Sequence, residues 1–381
     1  MNNRRLYLAL PLVLGLSLSA GLAPASSADR YSAKPPATAT LADGLLSPLS
    51  LAAGRHGLYV TQNFAGILNK VKSNGAPKVV RSSGGSEVGS VPPPEVGSVS
   101  LYKDTVYFSE GAGGMDGQPN EQWIKSLDNH RKASPQKIAD IAAYEAKRNP
   151  DGRITYGFRN VRDQRCLDQI PEGIPGKYQG QVDSHVYATA VDKRSIYVAD
   201  AGANAILKVD KRSKRVSTVA VLPATYVRIT AVLAAGMGLP DCVVGEKYYL
   251  EPVPTDVEFG KHGWLYVTSL PGGPEDGSLG ALGRVYKVHS GSGKVVQLAS
   301  GFSGATNLAV SSRGDIYVAE MFGNKISVVK KGYHKPRTLL EATAPGALEI
   351  HDNRLYATTH ALPDFTGPTP PAGKILKIKL R

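Results

Sequence analysis

The chain has 381 residues and a formal net charge of +13, from 45 Lys and Arg against 32 Asp and Glu. Its hydrophobic content of 42% excludes a disordered or collagen-like chain, and its two cysteines exclude a disulfide-dense small domain or a multi-thiolate metal site. The 41 Gly and 26 Pro indicate many turns, and with abundant Val, Ile and Tyr they predict an all-β globular protein.

The N-terminus has the pattern of a secretory signal over residues 1–28. Arg4 and Arg5 precede an apolar run from Leu6 to Ala23, and small residues follow up to Ala28. The alternative is an uncleaved membrane anchor, which the Pro, Gly and Ser residues within the run disfavour. We expect a signal peptide over 1–28, a linker over 29–44, and a secreted mature chain without a membrane span.

Six internal repeats follow, each with a small or polar residue, a tight turn and a strand centred on tyrosine. These tyrosines are Tyr59, Tyr107, Tyr197, Tyr266, Tyr317 and Tyr356. Each tyrosine strand is followed by another alternating strand, and in places by a fourth, outer strand. Four short strands in each of six units predict a six-bladed β-propeller over residues 45–381, with the innermost strands around a central channel.

Two insertions interrupt the repeats, at about 128–180 and 224–251. In the first, Ser134 and Pro135 predict the start of a helix, and residues 149–152 predict its end. The insertions carry Cys166 and Cys242, for which a disulfide is the default in an oxidising compartment and a catalytic thiol is the alternative. A disulfide would join the insertions as a lid over one mouth of the channel. The loop over 272–283 is a second candidate cover.

Several segments carry a resemblance to a known family: Glu95–Gly97, Ala139–Ala146, Asn149–Gly152, Asp183–Ala188, Ile196–Asn204 and Pro252–Val257. In these segments the chain resembles the ScyD/ScyE family, which are secreted propellers. The resemblance implies the fold and the export of the chain, but it supplies no catalytic residues. The spacings Asp200…Asn204 and Glu320…Asn324 are also similar to NHL-type repeats, where such side chains bond the backbone of loops.

Alignment of the repeats places one residue of each unit in a column near the axis. The column consists of Ser50, Ser98, Ala188, Asp256, Asn307 and Ala347. Asp256 and Asn307 come from neighbouring units and are the right types of ligand for a hard cation such as calcium at the axis. Further candidates for ligand or metal binding lie nearby in sequence: Glu95, Asp183, His185, Glu258 and Glu349. The alternative is that such inner-strand residues bond channel water.

Two functions are consistent with these patterns, and no catalytic residue can be assigned. The first is a module that binds a small molecule or a protein through the channel mouth; the second is a metal-assisted enzyme of the lactonase or lyase type. The positive net charge suggests an anionic partner, but an exported protein is not expected to bind nucleic acid. The Lys and Arg clusters fall on predicted outer hairpins, where they protect sheet edges or make weak contact with anionic envelope polymers.

Overall fold

A computed structural model describes residues 35–72, 75–83, 94–113, 120–128, 134–362 and 370–380. The predicted signal peptide lies outside the described residues. Strand β1 (Thr38–Leu45) comes first, and two four-stranded antiparallel sheets follow it. Sheet one comprises β2 (Leu51–Gly54), β3 (Gly57–Gln62), β4 (Ile67–Val71) and β5 (Pro77–Ser82). Sheet two comprises β6 (Val99–Tyr102), β7 (Thr105–Ala112), β8 (Glu121–Asp128) and β9 (Gln136–Asp140).

The next part of the chain contains the described helices. It begins with α1 (Ile141–Arg148), β10 (Thr155–Gly157), α2 (Gln164–Leu167) and β11 (Lys177–Gln179). Sheet three then comprises β12 (Val186–Val191), β13 (Ser195–Asp200), β14 (Ala205–Asp210) and β15 (Val216–Val221). It is followed by β16 (Thr225–Arg228), α3 (Ala231–Met237) and β17 (Lys247–Leu250), and short 3-10 turns occupy Asn63–Ala65 and Asp241–Val243.

Three more four-stranded antiparallel sheets complete the chain. Sheet four comprises β18 (Pro254–Phe259), β19 (Trp264–Ser269), β20 (Gly283–His289) and β21 (Val295–Phe302). Sheet five comprises β22 (Ala305–Val310), β23 (Ile316–Glu320), β24 (Lys325–Val329) and β25 (Arg337–Glu341). Sheet six comprises β26 (Leu348–His351), β27 (Arg354–Thr359) and β28 (Gly373–Lys379), with β1 as its fourth strand.

Strand β1 closes the last sheet from the other end of the chain. It pairs antiparallel with β28, so that Thr38 lies opposite Ile378. Residues 38–44 therefore form part of sheet six, and the expectation that the linker runs to residue 44 was wrong. These residues pair with the edge of β28 because an unpaired strand edge would leave backbone N–H and C=O groups without partners.

The core is divided among the interfaces between consecutive sheets. Tyr59 of sheet one packs with Phe108 of sheet two, and Tyr197 of sheet three packs with Val257 of sheet four. A further cluster joins sheet six to sheet one, so the series of interfaces is cyclic. The second strand of sheet three is buried on both faces, which explains why β13 is buried at every position and has an apolar run around its tyrosine, whereas the outer strand β15 is exposed or half-buried at most positions.

Helix α1 begins later than the sequence predicts. Ser134 and Pro135 precede β9, and the helix is capped by Asp140, whose side chain accepts a hydrogen bond from the Ala143 N–H at 3.0 Å. Strand pairing accounts for the difference, since residues 136–140 complete the edge of sheet two along β8. The predicted end is confirmed: Asn149 ends the helix in the left-handed conformation, at a φ of 36°.

The two inserted regions share a β-sheet, which the sequence did not predict. Strands β10, β11, β16 and β17 make a seventh four-stranded sheet in the order β11-β10-β17-β16. The predicted disulfide between Cys166 and Cys242 is confirmed and lies in a small apolar cluster with Phe158 and Ile229. Such a bond is typical of an oxidising, extracytoplasmic compartment. No helix among the described residues has the length and apolar character needed to cross a membrane.

Candidate functional site in the axial cavity

The first strands of the six cyclic sheets surround a cavity of about 180 Å³. Each of these strands contacts the first strand of the next sheet, and that of sheet six contacts that of sheet one. The residues contributed by sheets one to three are small or apolar, such as Ala52, Ser100 and Ala190. The cavity therefore has one side without charge.

The opposite side of the cavity is acidic. Sheet four contributes Asp256 and Glu258, sheet five contributes Asn307, and sheet six contributes Glu349. No Lys, Arg or His occurs among the described residues that line the cavity. Four residues predicted as site candidates thus meet in one place, and three of them are carboxylic acids without a basic partner in the lining.

Asp256 and Asn307 hold neighbouring sheets together. The carboxylate of Asp256 accepts a hydrogen bond at 2.8 Å from the N–H of Leu308, on the first strand of sheet five. Asn307 repeats the contact one sheet further on, because its amide oxygen accepts a hydrogen bond at 2.6 Å from the Leu348 N–H. We call such a bond from a column residue to the next first strand an inter-sheet latch.

Ser50 shows that the latch belongs to the repeat. Its hydroxyl accepts a hydrogen bond at 2.9 Å from the Val99 N–H of sheet two. In all three latches the donor is the residue directly after the equivalent column position of the next sheet. Ala188 and Ala347 occupy the column without a side-chain acceptor, so the latch is present only at some interfaces.

Burial raises the pKa values of the cavity acids, and mutual repulsion adds to the rise at Glu258 and Glu349. Burial raises the pKa of Asp256 to about 7, against the lowering effect of the N–H groups of Leu308 and Val257. Burial, together with Asp256, raises the pKa of Glu349 to about 8. Burial raises the pKa of Glu258 well above its ordinary value, and Glu349 and Asp256 add to the rise. Close carboxyl groups cannot all ionise in such a setting without a positive charge among them.

Glu95 and His185 lie at one end of the first strands, which we call the mouth. The Nε2 of His185 is 3.6 Å from a carboxylate oxygen of Glu95, and both side chains are partly exposed. Glu275, in the loop predicted as a cover, lies close enough to His185 for the charges to interact, although burial raises the pKa of Glu275 overall. The mouth is therefore a mixed but mainly acidic group.

Asp183 lies elsewhere, in a buried acidic cluster between α1 and sheet three. We define this cluster as Glu145, Asp151, Asp183, Asp200 and Asn204. Burial raises the pKa of Glu145 to about 9, and the charge of Asp200 adds to this effect. Burial also raises the pKa of Asp151 to about 6. Of these residues, only Asp183 is a site candidate in the sequence analysis, although all of them lie in the segments that carry the family resemblance.

The metal site expected at the axis has no preformed set of ligands. Within the described parts of the chain, no three side chains of His, Cys, Asp or Glu are grouped so that they could hold a metal ion. Both oxygens of Asp256 already accept N–H groups, since the Val257 N–H donates to the second oxygen at 2.8 Å.

The fold is shared with sugar dehydrogenases of the β-propeller type. The structure is similar to the pyrroloquinoline-quinone-bound aldose sugar dehydrogenase of Streptomyces coelicolor, with a TM-score of 0.55 and 13% identity over 91% of this chain and 99% of that one. It is also similar to the apo form of the soluble aldose sugar dehydrogenase of Escherichia coli, with a TM-score of 0.51 and 13% identity over 91% and 99% of the two chains. No family model and no curated protein sequence matches the chain. These similarities establish a β-propeller fold.

The axial cavity does not suit the quinone cofactor of the first of these proteins. Pyrroloquinoline quinone carries three carboxyl groups, and no Lys, Arg or His among the described lining residues could pair with them. A cavity of about 180 Å³ is also smaller than the ~300–1,000 Å³ of pockets that enclose drug-sized ligands.

Proposed function

We propose that the chain is an exported six-bladed β-propeller of the ScyD/ScyE type that binds a small organic cation in its axial cavity. Six consecutive four-stranded sheets with a cyclic series of interfaces support the number of blades. The disulfide and the signal-like pattern of residues 1–28 support export. Binding of a ligand, rather than a reaction, is the function that the lining supports best.

The observation that carries this proposal is the one-sided acidity of the cavity. Asp256, Glu258 and Glu349 lie together without a cation, while the rest of the lining is uncharged. An ammonium or guanidinium group would supply the positive charge and the N–H donors that ionised carboxylates require. The volume corresponds to roughly six water molecules, so the ligand is a small amine or one charged end of a longer molecule.

The mouth adds a second acidic group near the axis. Glu95 and Glu275 place acidic side chains around His185 at one end of the first strands, in a protein whose formal charge is strongly positive. A local negative potential concentrates cations where it meets the solvent.

The alternative is a metal-assisted enzyme that uses Asp256 and Asn307. It requires these residues to turn from their latches towards an ion, which would leave the N–H groups of Leu308 and Leu348 without acceptors. A stoichiometric divalent ion that is lost in Asp256→Ala and Asn307→Ala, but kept when the buried acidic cluster is altered, would favour the enzyme.

Calorimetry with small probes of similar size tests the proposal. We expect ethanolamine and guanidinium to bind, and ethylene glycol and acetate not to bind. Affinity should rise between about pH 6 and pH 9, because Asp256 and Glu349 ionise there and only the ionised acids attract the cation.

A matched pair of variants locates the site. Glu258→Gln should weaken binding of the cations at least tenfold, whereas Glu341→Gln, on the exposed strand β25, should not change it. Equal binding of acetate and ethanolamine, or equal loss in both variants, would contradict a cation site in the cavity.

A further inference from the structure

The buried acidic cluster between α1 and sheet three contains an unusual concentration of oxygen atoms without partners. Glu145, Asp151 and Asp200 are each 0% exposed and Asn204 is 1% exposed. Among the described residues, none of these three acids forms an ion pair with Lys or Arg. Several acidic groups are thus enclosed with no Lys or Arg paired to them, although His185 is near enough to Asp200 to favour its ionised form. Such enclosure is costly unless the acids are protonated or bound to a cation.

The oxygens without partners belong to different elements. Both carboxylate oxygens of Glu145 on α1, one of Asp151 and the amide oxygen of Asn204 accept no hydrogen bond from the described residues. The amide oxygen of Asn149, which ends α1, also accepts no hydrogen bond from the described residues. All five atoms are acceptors, so the region lacks donors or a positive charge rather than hydrogen-bonding capacity in general.

The remaining atoms of the cluster are held firmly. Asp200 accepts hydrogen bonds from the Ser184 hydroxyl at 2.7 Å and from the His185 N–H at 2.7 Å. The second oxygen of Asp151 accepts hydrogen bonds from the Tyr156 hydroxyl at 3.0 Å and from the Asn204 amide at 2.8 Å. These contacts orient Asp151 and Asn204, and they leave one oxygen of each for a ligand.

We propose that this cluster binds a hard divalent cation of the calcium class, independently of the axial cavity. Carboxylate and amide oxygens are the ligands that calcium prefers, and no sulfur or imidazole group is needed. The ion would connect Glu145 of α1 to Asp151 and to Asn204, which precedes β14, and so fasten the helix to sheet three.

Occupancy requires a movement of side chains. The carboxyl groups of the described residues do not yet stand in a metal-binding group of three, so the ion must combine amide oxygens with carboxylates and draw Glu145 towards Asp151. Glu145 forms no hydrogen bond of normal geometry with the described residues, but the backbone N–H of Asp183 lies close enough to favour its ionised form, so a movement towards Asp151 has to give up that contact. Calcium tolerates irregular sets of six to eight oxygens, and water can complete the set.

The test uses the full mature chain after removal of metal with a chelator. Titration of calcium chloride by calorimetry should give one site per chain. At 100 times the dissociation constant, calcium should raise the midpoint of thermal unfolding by roughly 5 °C, since the ion binds only the folded state. Magnesium should bind more weakly, because it requires stricter geometry.

Variants separate this site from the axial cavity. Glu145→Gln and Asp151→Asn should abolish the calcium-dependent shift, whereas Glu258→Gln in the cavity should keep it. Gln and Asn have the shapes of the acids that they replace, so these variants are expected to fold. Failure of the wild-type chain to bind calcium or magnesium at millimolar concentration would overturn the inference. Loss of the shift in Glu258→Gln alone would overturn it as well, by placing the ion at the axis.

Discussion

Replacement of Asp256 by alanine tests whether this residue stabilises the interface between two sheets, as an inter-sheet latch, or serves as the ligand of a functional ion. The substitution removes the acceptor of two hydrogen bonds, from the N–H groups of Leu308 and Val257, each 2.8 Å long. Both residues are 0% exposed, so water does not readily replace the carboxylate. The direct consequence is two buried backbone donors without partners, one of them at the interface between sheets four and five.

The expected loss in the free energy of unfolding follows from these two donors. A buried N–H that loses its only acceptor costs about 1–3 kcal/mol. Removal of the carboxyl also relieves its repulsion with Glu349 and Glu258, which offsets part of the cost. We therefore expect Asp256→Ala to lower the free energy of unfolding by about 2–4 kcal/mol. Asp256→Asn retains one oxygen and should lose roughly half of that amount.

Urea unfolding followed by circular dichroism measures the effect. Asn307→Ala provides a second latch variant, with a single lost donor at Leu348 and an expected loss of about 1–3 kcal/mol. Glu258→Gln serves as the control, because it changes an acid of the same cavity that forms no latch, and it should not be less stable than the wild type. An unchanged midpoint for Asp256→Ala would refute the latch, and a loss seen only before metal is removed would support the metal interpretation.

Three further outcomes follow from the structure. Conversion of both Cys166 and Cys242 to Ser should lower the free energy of unfolding by about 4 kcal/mol, the chain entropy of a loop whose ends are 76 residues apart, as measured by urea unfolding. The pKa of Glu349 is raised from 4.5 to about 8, so its contribution to stability is complete below pH 4.5 and is lost as the pH rises through 8. Thermal midpoints between pH 5 and pH 9 should therefore fall, and a rise would contradict the assignment. Glu110→Gln should cost roughly 3 kcal/mol in the same urea assay, because it leaves the mostly buried Lys125 without its carboxylate.

The repeated part of the fold was predictable because it rests on local patterns. Each tyrosine of the repeat lies on the second strand of a sheet, as the alternating residues and the turns beside them indicated. Strand β1 was missed because its signal is not local. Residues 38–45 become a strand through pairing with β28, more than 300 positions later in the chain. The sequence near Thr38 does not indicate this pairing. The late start of α1 has the same cause. Residues 136–140 pair with the edge of β8, whereas the local capping pattern predicts that they belong to the helix.

The candidate site was predictable in position but not in chemistry. The repeat alignment predicts Asp256 and Asn307 near the axis, and both residues line the axial cavity, yet the alignment could not show that their oxygens bond the next strand. The buried acidic cluster was missed for the opposite reason. The local sequence indicates that Asp151 and Asn204 are loop residues, which they are, but only the three-dimensional fold brings Asp151 near Glu145 of α1 and Asn204 into contact with Asp151.

The buried acids also change the meaning of the formal charge. Burial raises the pKa of Glu145 to about 9 and that of Glu349 to about 8, so these two groups hold protons at neutral pH, and the folded chain is about two charges more positive than the sequence count. Positive charge is thus concentrated outside and acidity inside. A small cation in the cavity is repelled by the outer surface, and salt screens that repulsion over about 10 Å without reaching the cavity contacts. Raising the salt concentration should therefore leave its affinity unchanged or increase it, whereas an anionic polymer held by the outer Lys and Arg should be released.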